Sequence, residues 1–351
     1  MNKSTLNKFL LILLVQIFYT CSTSQIREIT KIKQDANPVK EVKIQQIKLK
    51  GKVSNRKSEI SGLSWYKDNL ILLPQFPNRF SNNKYGEIYY IKKNRIIDFL
   101  SGKDTSAIEP MSFSINTNEF SNLFGKGSGF EAVTFHNNTA YFTIESFSFG
   151  KTVSYLIAGE VDSIKKRITL KRKSITLIPN KLNIRNIGDE SVLYFNNQII
   201  PIYEANGKNV NPNPKVNLFD ESYNIIKTIP FPNIEYRITD VTTVDSNNIF
   251  WAINYFYPGE TQKLNPAPDE LIKRFGIGKS QKKSEYIERL VKFRITKNKI
   301  ELVNSAPIYI KLPGEEGRNW EGIARLNKKG FLIATDTYPK TILAFVKYKN
   351  K

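Results

Sequence analysis

Five positions set the terms for any chemistry in this chain: Ser61, Glu131, Glu190, Asp240 and Glu321. Each opens a segment of one layout: a polar residue, alternating apolar residues, an Asn or Asp turn, a second apolar run and a second polar residue. The segments are residues 61–75, 131–145, 190–204, 240–254 and 321–336; the polar ends are fourteen residues apart in the first four and fifteen in the last. Four carboxylates brought to one place repel one another unless they are protonated or neutralised. Calcium neutralises such a group, because it accepts many oxygen ligands in irregular geometry. With one His (His136) and one Cys (Cys21), the chain is left with oxygen-seeking metals. Ser61, Glu131, Glu190, Asp240 and Glu321 are therefore the expected metal ligands and calcium the expected ion. The alternative is that these acids accept backbone N–H groups at strand ends and pair with basic neighbours.

The second polar set, Gln75, Glu145, Glu204, Asn254 and Asp336, is expected beside the first, with Glu145, Glu204 and Asp336 as candidate catalytic bases. A basic residue precedes each ring position: Arg56, Lys126, Arg185, Arg237 and Arg318. Guanidinium forks bind phosphate in two-point fashion, so the four Arg are candidate substrate-binding groups for a phosphate ester polarised by the cation. The competing reading is that they offset the acids as ion pairs.

These residues meet only if the segments are hairpins. In an antiparallel hairpin the start of one strand lies beside the end of the next. The segment midpoints, Asp68, Asn138, Asn197 and Asn247, are turn-tolerant residues. Further β-like sequence follows at residues 88–91, 154–161, 216–219, 225–229, 286–295 and 299–310. About four strands per repeat describes propeller blades. The expected fold is all-β, a single five-bladed propeller, with a sixth blade within residues 76–130 as the alternative. Only residues 341–347 follow the last hairpin, so residues 43–50 are expected to supply its fourth strand and close the ring. The innermost strands line the channel, which brings equivalent positions of different blades together. Residues 256–285, rich in Pro and Gly with a helical stretch at 269–275, form the largest insertion. It reads equally as a functional lid or a surface insertion.

Composition narrows the partners. There are 53 Lys and Arg against 32 Asp and Glu, a formal charge of +21, which favours anionic ligands. No dense basic tract of the nucleic-acid kind is present, so nucleic acid is not an expected partner. A lone cysteine excludes intrachain disulfides and CxxC sites, and no GxSxG elbow accompanies His136, which is expected as a surface residue near a turn. Residues 1–21 have the layout of a secretory signal: Lys3 and Lys8, an apolar run too short for a comfortable membrane span, and Cys21 where that run ends. The placement resembles a bacterial lipoprotein signal with Cys21 lipidated, although Phe18-Tyr19-Thr20 departs from the usual residues before the cysteine. The expected organisation is a signal over residues 1–21, a polar tether over 22–40 and the propeller over 41–351. The protein is expected to be exported to the cell envelope, anchored to the membrane only by lipid, and monomeric.

Short motifs add a resemblance. Ser61-Gly62-Leu63-Ser64-Trp65, Gly129-Phe130-Glu131-Ala132-Val133, Arg237-Ile238-Thr239-Asp240-Val241, Trp320-Glu321-Gly322-Ile323-Ala324 and Phe331-Leu332-Ile333-Ala334-Thr335-Asp336 resemble the phytase-like domain family, over roughly residues 55–347. The resemblance implies an exported propeller that hydrolyses phosphate or other esters. Ile253-Asn254 stands where the family has an acidic-basic pair, and Ala132 where it has Gly. The order Ser, Glu, Glu, Asp, Glu is similar to the calcium ring of soluble apyrases. Two functions follow: a calcium-dependent hydrolase of phosphate or related esters acting on a small anionic substrate, or a non-catalytic propeller binding a polyanion, a glycan or a protein partner.

Overall fold

In each of the five segments a short turn of residues that tolerate positive φ reverses the chain between two apolar runs. Lys67, Asn137, Asn196, Asn197, Asn248 and Asn327 all lie at φ between 50° and 61°, and at Asn196-Asn197 both central residues do so, as a primed two-residue turn requires. The computed structural model describes residues 31–348 except 82–84, 118–119, 121–122, 124–126, 149 and 180–181. The expected signal and Cys21 lie outside the described residues, as does Lys126.

The strands form the five blades expected. Blade 1 is Ile60–Tyr66, Asn69–Pro74, Gly86–Lys92 and Met111–Ile115. Blade 2 is Gly129–His136, Thr139–Ser148, Lys151–Asp162 and Arg167–Leu170. Blade 3 is Ser191–Phe195, Gln198–Ile202, Lys215–Phe219 and Ile225–Pro230. Blade 4 is Arg237–Val241, Ile249–Phe256, Ile287–Ile295 and Ile300–Leu302. Blade 5 is Trp320–Leu326, Gly330–Thr335 and Leu343–Lys347, completed by Ile44–Ile47, which pairs antiparallel with Leu343–Lys347. The chain ends thus close the ring within one blade. The described residues of 76–128 hold no sixth blade: their strands complete blade 1, with helix α1, Lys93–Ser101, between them. One departure from a simple ring occurs at the rim, where the outer strands of blades 1 and 2 pair in parallel at Ile168↔Ile115.

The inner strands neighbour one another in the cyclic order 1-2-3-4-5-1. Between each adjacent pair of blades lies an apolar cluster: around Phe113 and Phe142 for blades 1 and 2, Val192 and Phe219 for 2 and 3, Phe250 and Phe293 for 3 and 4, Trp251 and Ile333 for 4 and 5, and Leu72 and Leu332 for 5 and 1. Alternation along each strand supplies both faces, since every blade packs against two neighbours.

Residues 22–40 are expected as a tether, yet the part described is docked. Residues 31–35 are helical, Pro38–Val39 pairs in parallel with Ile277–Gly278, and Ile32, Ala36 and Val39 pack on the cluster beneath the long insertion. The polar composition hid this because three apolar residues at helix-then-strand spacing suffice to dock a short segment. His136 is half-buried near a turn, its ring stacked on Tyr194 at 4.0 Å between centroids.

If Ile44–Ile47 holds the ring closed, Ile47→Ala costs about 2–5 kcal/mol, because Ile47 is 1% exposed in the cluster shared by blades 5 and 1. The exposed neighbour Gln46 serves as control: Gln46→Ala leaves the denaturant midpoint nearly unchanged. Equal midpoints for the two variants would show that closure does not depend on this strand.

Candidate active site

The ring positions share a local device. In blades 1, 2, 4 and 5 the register between inner and second strand shifts at the ring residue: between Ile60 and Gly62, Phe130 and Ala132, Ile238 and Val241, and Trp320 and Gly322. Ser61, Glu131, Asp240 and Glu321 therefore sit on β-bulges, which re-aim side chains and free backbone groups from the ladder. Glu190 immediately precedes the inner strand of blade 3, whose register is unbroken. The bulges also move the second polar set. Glu145 lies opposite Gly129, not Glu131, and the N–H of Gln75 bonds the carbonyl of Glu59.

Two ring residues are engaged with backbone. Asp240 is 2% exposed. Its Oδ2 accepts the N–H of Leu63 at 3.2 Å and of Ile323 at 2.7 Å, and its Oδ1 the N–H of Val241 at 2.8 Å. One carboxylate thus ties the inner strands of blades 1, 4 and 5. Burial opposes its charge while the three donors favour it. Ser61 donates its hydroxyl to the carbonyl of Phe130 at 2.6 Å, joining blades 1 and 2. Gly322 belongs to the same narrow centre, where an added Cβ would meet Leu63 Cγ at 2.7 Å.

Two of the other three ring acids, Glu190 and Glu321, meet around one guanidinium. Arg237, 8% exposed, donates from Nη2 to both oxygens of Glu190 at 2.9 and 3.1 Å. Its Nε contacts Glu204, and Glu260 and Glu321 lie 3.7 and 3.8 Å from its terminal nitrogens. Burial works against its charge, but Glu190, Glu260 and Glu321 hold it firmly protonated. Glu131 accepts from Gln75 Nε2 at 3.0 Å, and Glu321 from Asn319 Nδ2 at 2.6 Å. Burial, then Glu190 and Glu145, push Glu131 well above the carboxylate range; burial, then Asp336 and Glu190, do the same to Glu321. Burial, then Glu190, push Glu145 up to about 7. Burial raises Glu190 to about 7 against the pull of Arg237. Asp336 is also raised, by burial first. Its Oδ1 and Oδ1 of Asn319 are buried without a hydrogen-bond partner. Gly188 leaves room here: a Cβ would stand 2.7 Å from Glu145 Oε2.

The structure thus brings together Glu131, Glu145, Glu190, Glu204, Arg237, Glu321 and Asp336. It separates the other expected anion binders. Arg56 is exposed, Arg185 is exposed beside the Phe147 ring, and Arg318 is bound to Glu288 at 2.6 Å. Glu288 also accepts the indole N–H of Trp320 at 2.7 Å, so Arg318 braces blade 5. Asn254 donates to the carbonyls of Glu235 and Arg237 and accepts from Arg289. Glu204 is fully buried against Arg237.

The long insertion is docked and enters the site. Its helix α3, Glu270–Phe275, which follows the short α2, Thr261–Leu264, is N-capped by Asp269, which also pairs with the buried Arg289 at 2.8 Å. Leu264, Leu271 and Ile272 are buried. Glu260 and Lys263, paired at 3.1 Å, were not among the expected site residues. One signal could have found them: the insertion leaves a strand two residues beyond Asn254, at the end where the second polar set lies.

The donor types suit a hard cation, but the placement does not assemble the expected set. Among the described residues no three His, Cys, Asp or Glu side chains are placed to hold a metal ion. Ser61 and Asp240 serve backbone groups, and Glu190 serves Arg237.

No family model matches the chain, and no curated protein matches it significantly. Solved structures similar to it include a glycosyl hydrolase from Bacteroides ovatus (8% identity, 84% of each chain, TM-score 0.45). An exo-1,5-alpha-L-arabinanase from a bovine ruminal metagenomic library is similar at 7% identity over 85% of this chain and 99% of that one, TM-score 0.45. A glucose dehydrogenase is similar at 11% identity over 87% and 99%, TM-score 0.44. At such identities and scores they carry no conclusion about activity.

Two outcomes follow. Asp240→Ala leaves three buried N–H groups unsatisfied and lowers stability by about 3 kcal/mol or more, whereas Asp240→Asn keeps acceptors and loses less; equal, small losses in denaturant melts would refute the tie. Carboxyls raised by burial bind more protons folded than unfolded, so their stabilisation is complete below the unfolded value of 4.5 and lost as pH rises through about 7 for Glu145 and Glu190. In EDTA the melting temperature is therefore higher at pH 5 than at pH 8, and the opposite trend would refute the raised values.

Proposed function

We propose that the central site hydrolyses the C–O bond of an uncharged, hydroxyl-rich substrate of the glycoside type. The observation that carries this reading is the carboxyl-rich make-up of the site. Glu131, Glu145, Glu190, Glu321 and Asp336 converge, and the guanidinium among them is already engaged by carboxylates. Phosphoryl and acyl transfer develop negative charge and need donors or cations aimed at it. Glycoside cleavage develops positive charge on the sugar, which carboxylates stabilise. Acceptor oxygens also suit a ligand made of hydroxyl donors.

In this reading Glu145 protonates the leaving oxygen, Asp336 takes a proton from the attacking water, and Glu131 and Glu321 accept substrate hydroxyls. The water oxygen bonds to the anomeric carbon as the glycosidic bond breaks, and the aglycone leaves as an alcohol. Arg237 holds Glu190 and Glu204 in place. Export and a lipid anchor at Cys21 belong to this proposal as its cellular setting.

The test is turnover of aryl glycosides, aryl phosphates and aryl acetates by the purified protein, each in EDTA and in calcium. Glycoside turnover that persists in EDTA supports the proposal; turnover of phosphate esters alone, and only with calcium, replaces it by the metal-assisted ester reading. Glu145→Gln is expected to lower kcat by roughly 10²–10⁴-fold without unfolding the protein. Wild-type activity is expected to fall as pH rises past about 7, where Glu145 loses its proton. A Glu145→Gln variant of unchanged kcat would remove Glu145 as the acid.

A further inference from the structure

Beside the central site, between blades 2 and 3, lies a second concavity of about 570 Å³. Its walls include the rigid rings of Pro201 and Pro212 and the side chain of Tyr203, with Asn213 and Lys215 exposed at its rim. Asp189 lines it as well. Its neighbour Glu190 bonds Arg237, while Asp189 is held by Ser154, whose Oγ accepts its N–H at 2.9 Å and whose side chain also favours its charged form. Asp189 is 5% exposed, and its Oδ2 is buried with no hydrogen-bond partner. Buried polar groups are hydrogen-bonded almost without exception, and an unmet carboxylate oxygen is among the costlier exceptions.

From the orphaned Asp189 oxygen in a half-polar cleft of ligand size, we propose that this is a second binding site, for a neutral saccharide-like ligand. The volume is that of a small-molecule site. The Asp189 carboxylate accepts from ligand hydroxyls, the amide and ammonium at the rim donate to ligand oxygens, and the exposed Pro212 ring takes the apolar face of a sugar ring. A free anion fits less well, because Asp189 would oppose it. Burial pushes Asp189 up to about 7, so the oxygen is poised between donor and acceptor until a ligand hydroxyl fixes it as an acceptor. The site is independent of the hydrolytic reading: it binds whether or not the central carboxylates turn over a substrate.

The experiment is titration calorimetry of the full chain at pH 8 with maltose, cellobiose and xylobiose, and with inorganic phosphate as the anion probe. It is run on wild type, Asp189→Asn, Lys215→Ala and the central variant Glu145→Gln. The proposal expects a disaccharide to bind wild type and Glu145→Gln alike, about tenfold weaker binding by Asp189→Asn, and a smaller loss in Lys215→Ala. It is overturned if no disaccharide binds, if phosphate alone binds, or if Asp189→Asn binds as wild type does. Loss confined to Glu145→Gln would place the sugar at the central site and also overturn it. A folding control accompanies these: Asp189→Asn removes a carboxyl whose burial costs stability above its folded value, so the variant melts at or above the wild-type temperature at pH 8.

Discussion

The constraint on which the molecule depends is the inner edge of its five sheets. A propeller removes sheet edges at the rim by ring closure, but at the axis each innermost strand still presents backbone groups with no strand beside them. Here side chains of neighbouring blades meet that need. Asp240 takes the N–H groups of Leu63 and Ile323, Ser61 gives its hydroxyl to the carbonyl of Phe130, and Thr239 gives its hydroxyl to the carbonyl of Trp320. These bonds run between blades 1, 2, 4 and 5, so the polar residues at the axis also fix how the blades meet. Apolar packing between blades supplies attraction without direction; the axial bonds supply register.

Once the axis is satisfied, the remaining acids become a separate problem in electrostatics. A chain with a formal charge of +21 carries a carboxyl-rich centre, because its lysines are spread over surfaces while Glu131, Glu190 and Glu321 are drawn inward by the ring. Arg237 is the internal counter-ion. Buried ion pairs with incomplete partners are destabilising, and here one guanidinium faces Glu190, Glu204, Glu260 and Glu321. Burial first, and the neighbouring carboxylates after it, displace the carboxyls around it upward, so the imbalance is met by protons. The insertion sharpens the effect: it adds Glu260 with Lys263, and it is bolted down by Asp269 and Arg289, so the site has a fixed wall at blade 4.

The sequence disclosed the fold more readily than the site. The hairpins, the turn residues and the closing strand were legible because local chemistry decides them: alternation sets the strand, Asn and Asp set the turn, and a blade lacking an outer strand needs one from elsewhere. The register was not legible. A fourteen-residue spacing places Glu131 opposite Glu145 only if the turn centres on Asn138 and the strand is regular; the turn centres between Asn137 and Asn138, and a bulge at Glu131 adds another offset. The arginines show a second limit. Arg237 and Arg318 occupy similar positions before Asp240 and Glu321, yet one enters the ring and the other turns to Glu288, a residue of another strand that no repeat marks. Partners from distant strands decide where a long side chain goes, and sequence spacing does not contain them.

The same comparison explains why a shared pattern of acids does not by itself imply a shared ion. The repeat positions are equivalent in the fold but unequal in their surroundings. Asp240 has three backbone donors, Glu190 has a guanidinium, Glu131 has one amide, and Glu321 has one amide with Asp336 nearby. A carboxylate with donors is spent on structure, and one without them keeps its capacity for protons or ligand hydroxyls. The reactive side of the ring lies between blade 2 and blade 5, where Glu131, Glu145, Glu321 and Asp336 are all displaced upward by burial first and Asp336 keeps an unmet oxygen. The chemistry of the site therefore follows from which inner-edge groups the backbone has already claimed.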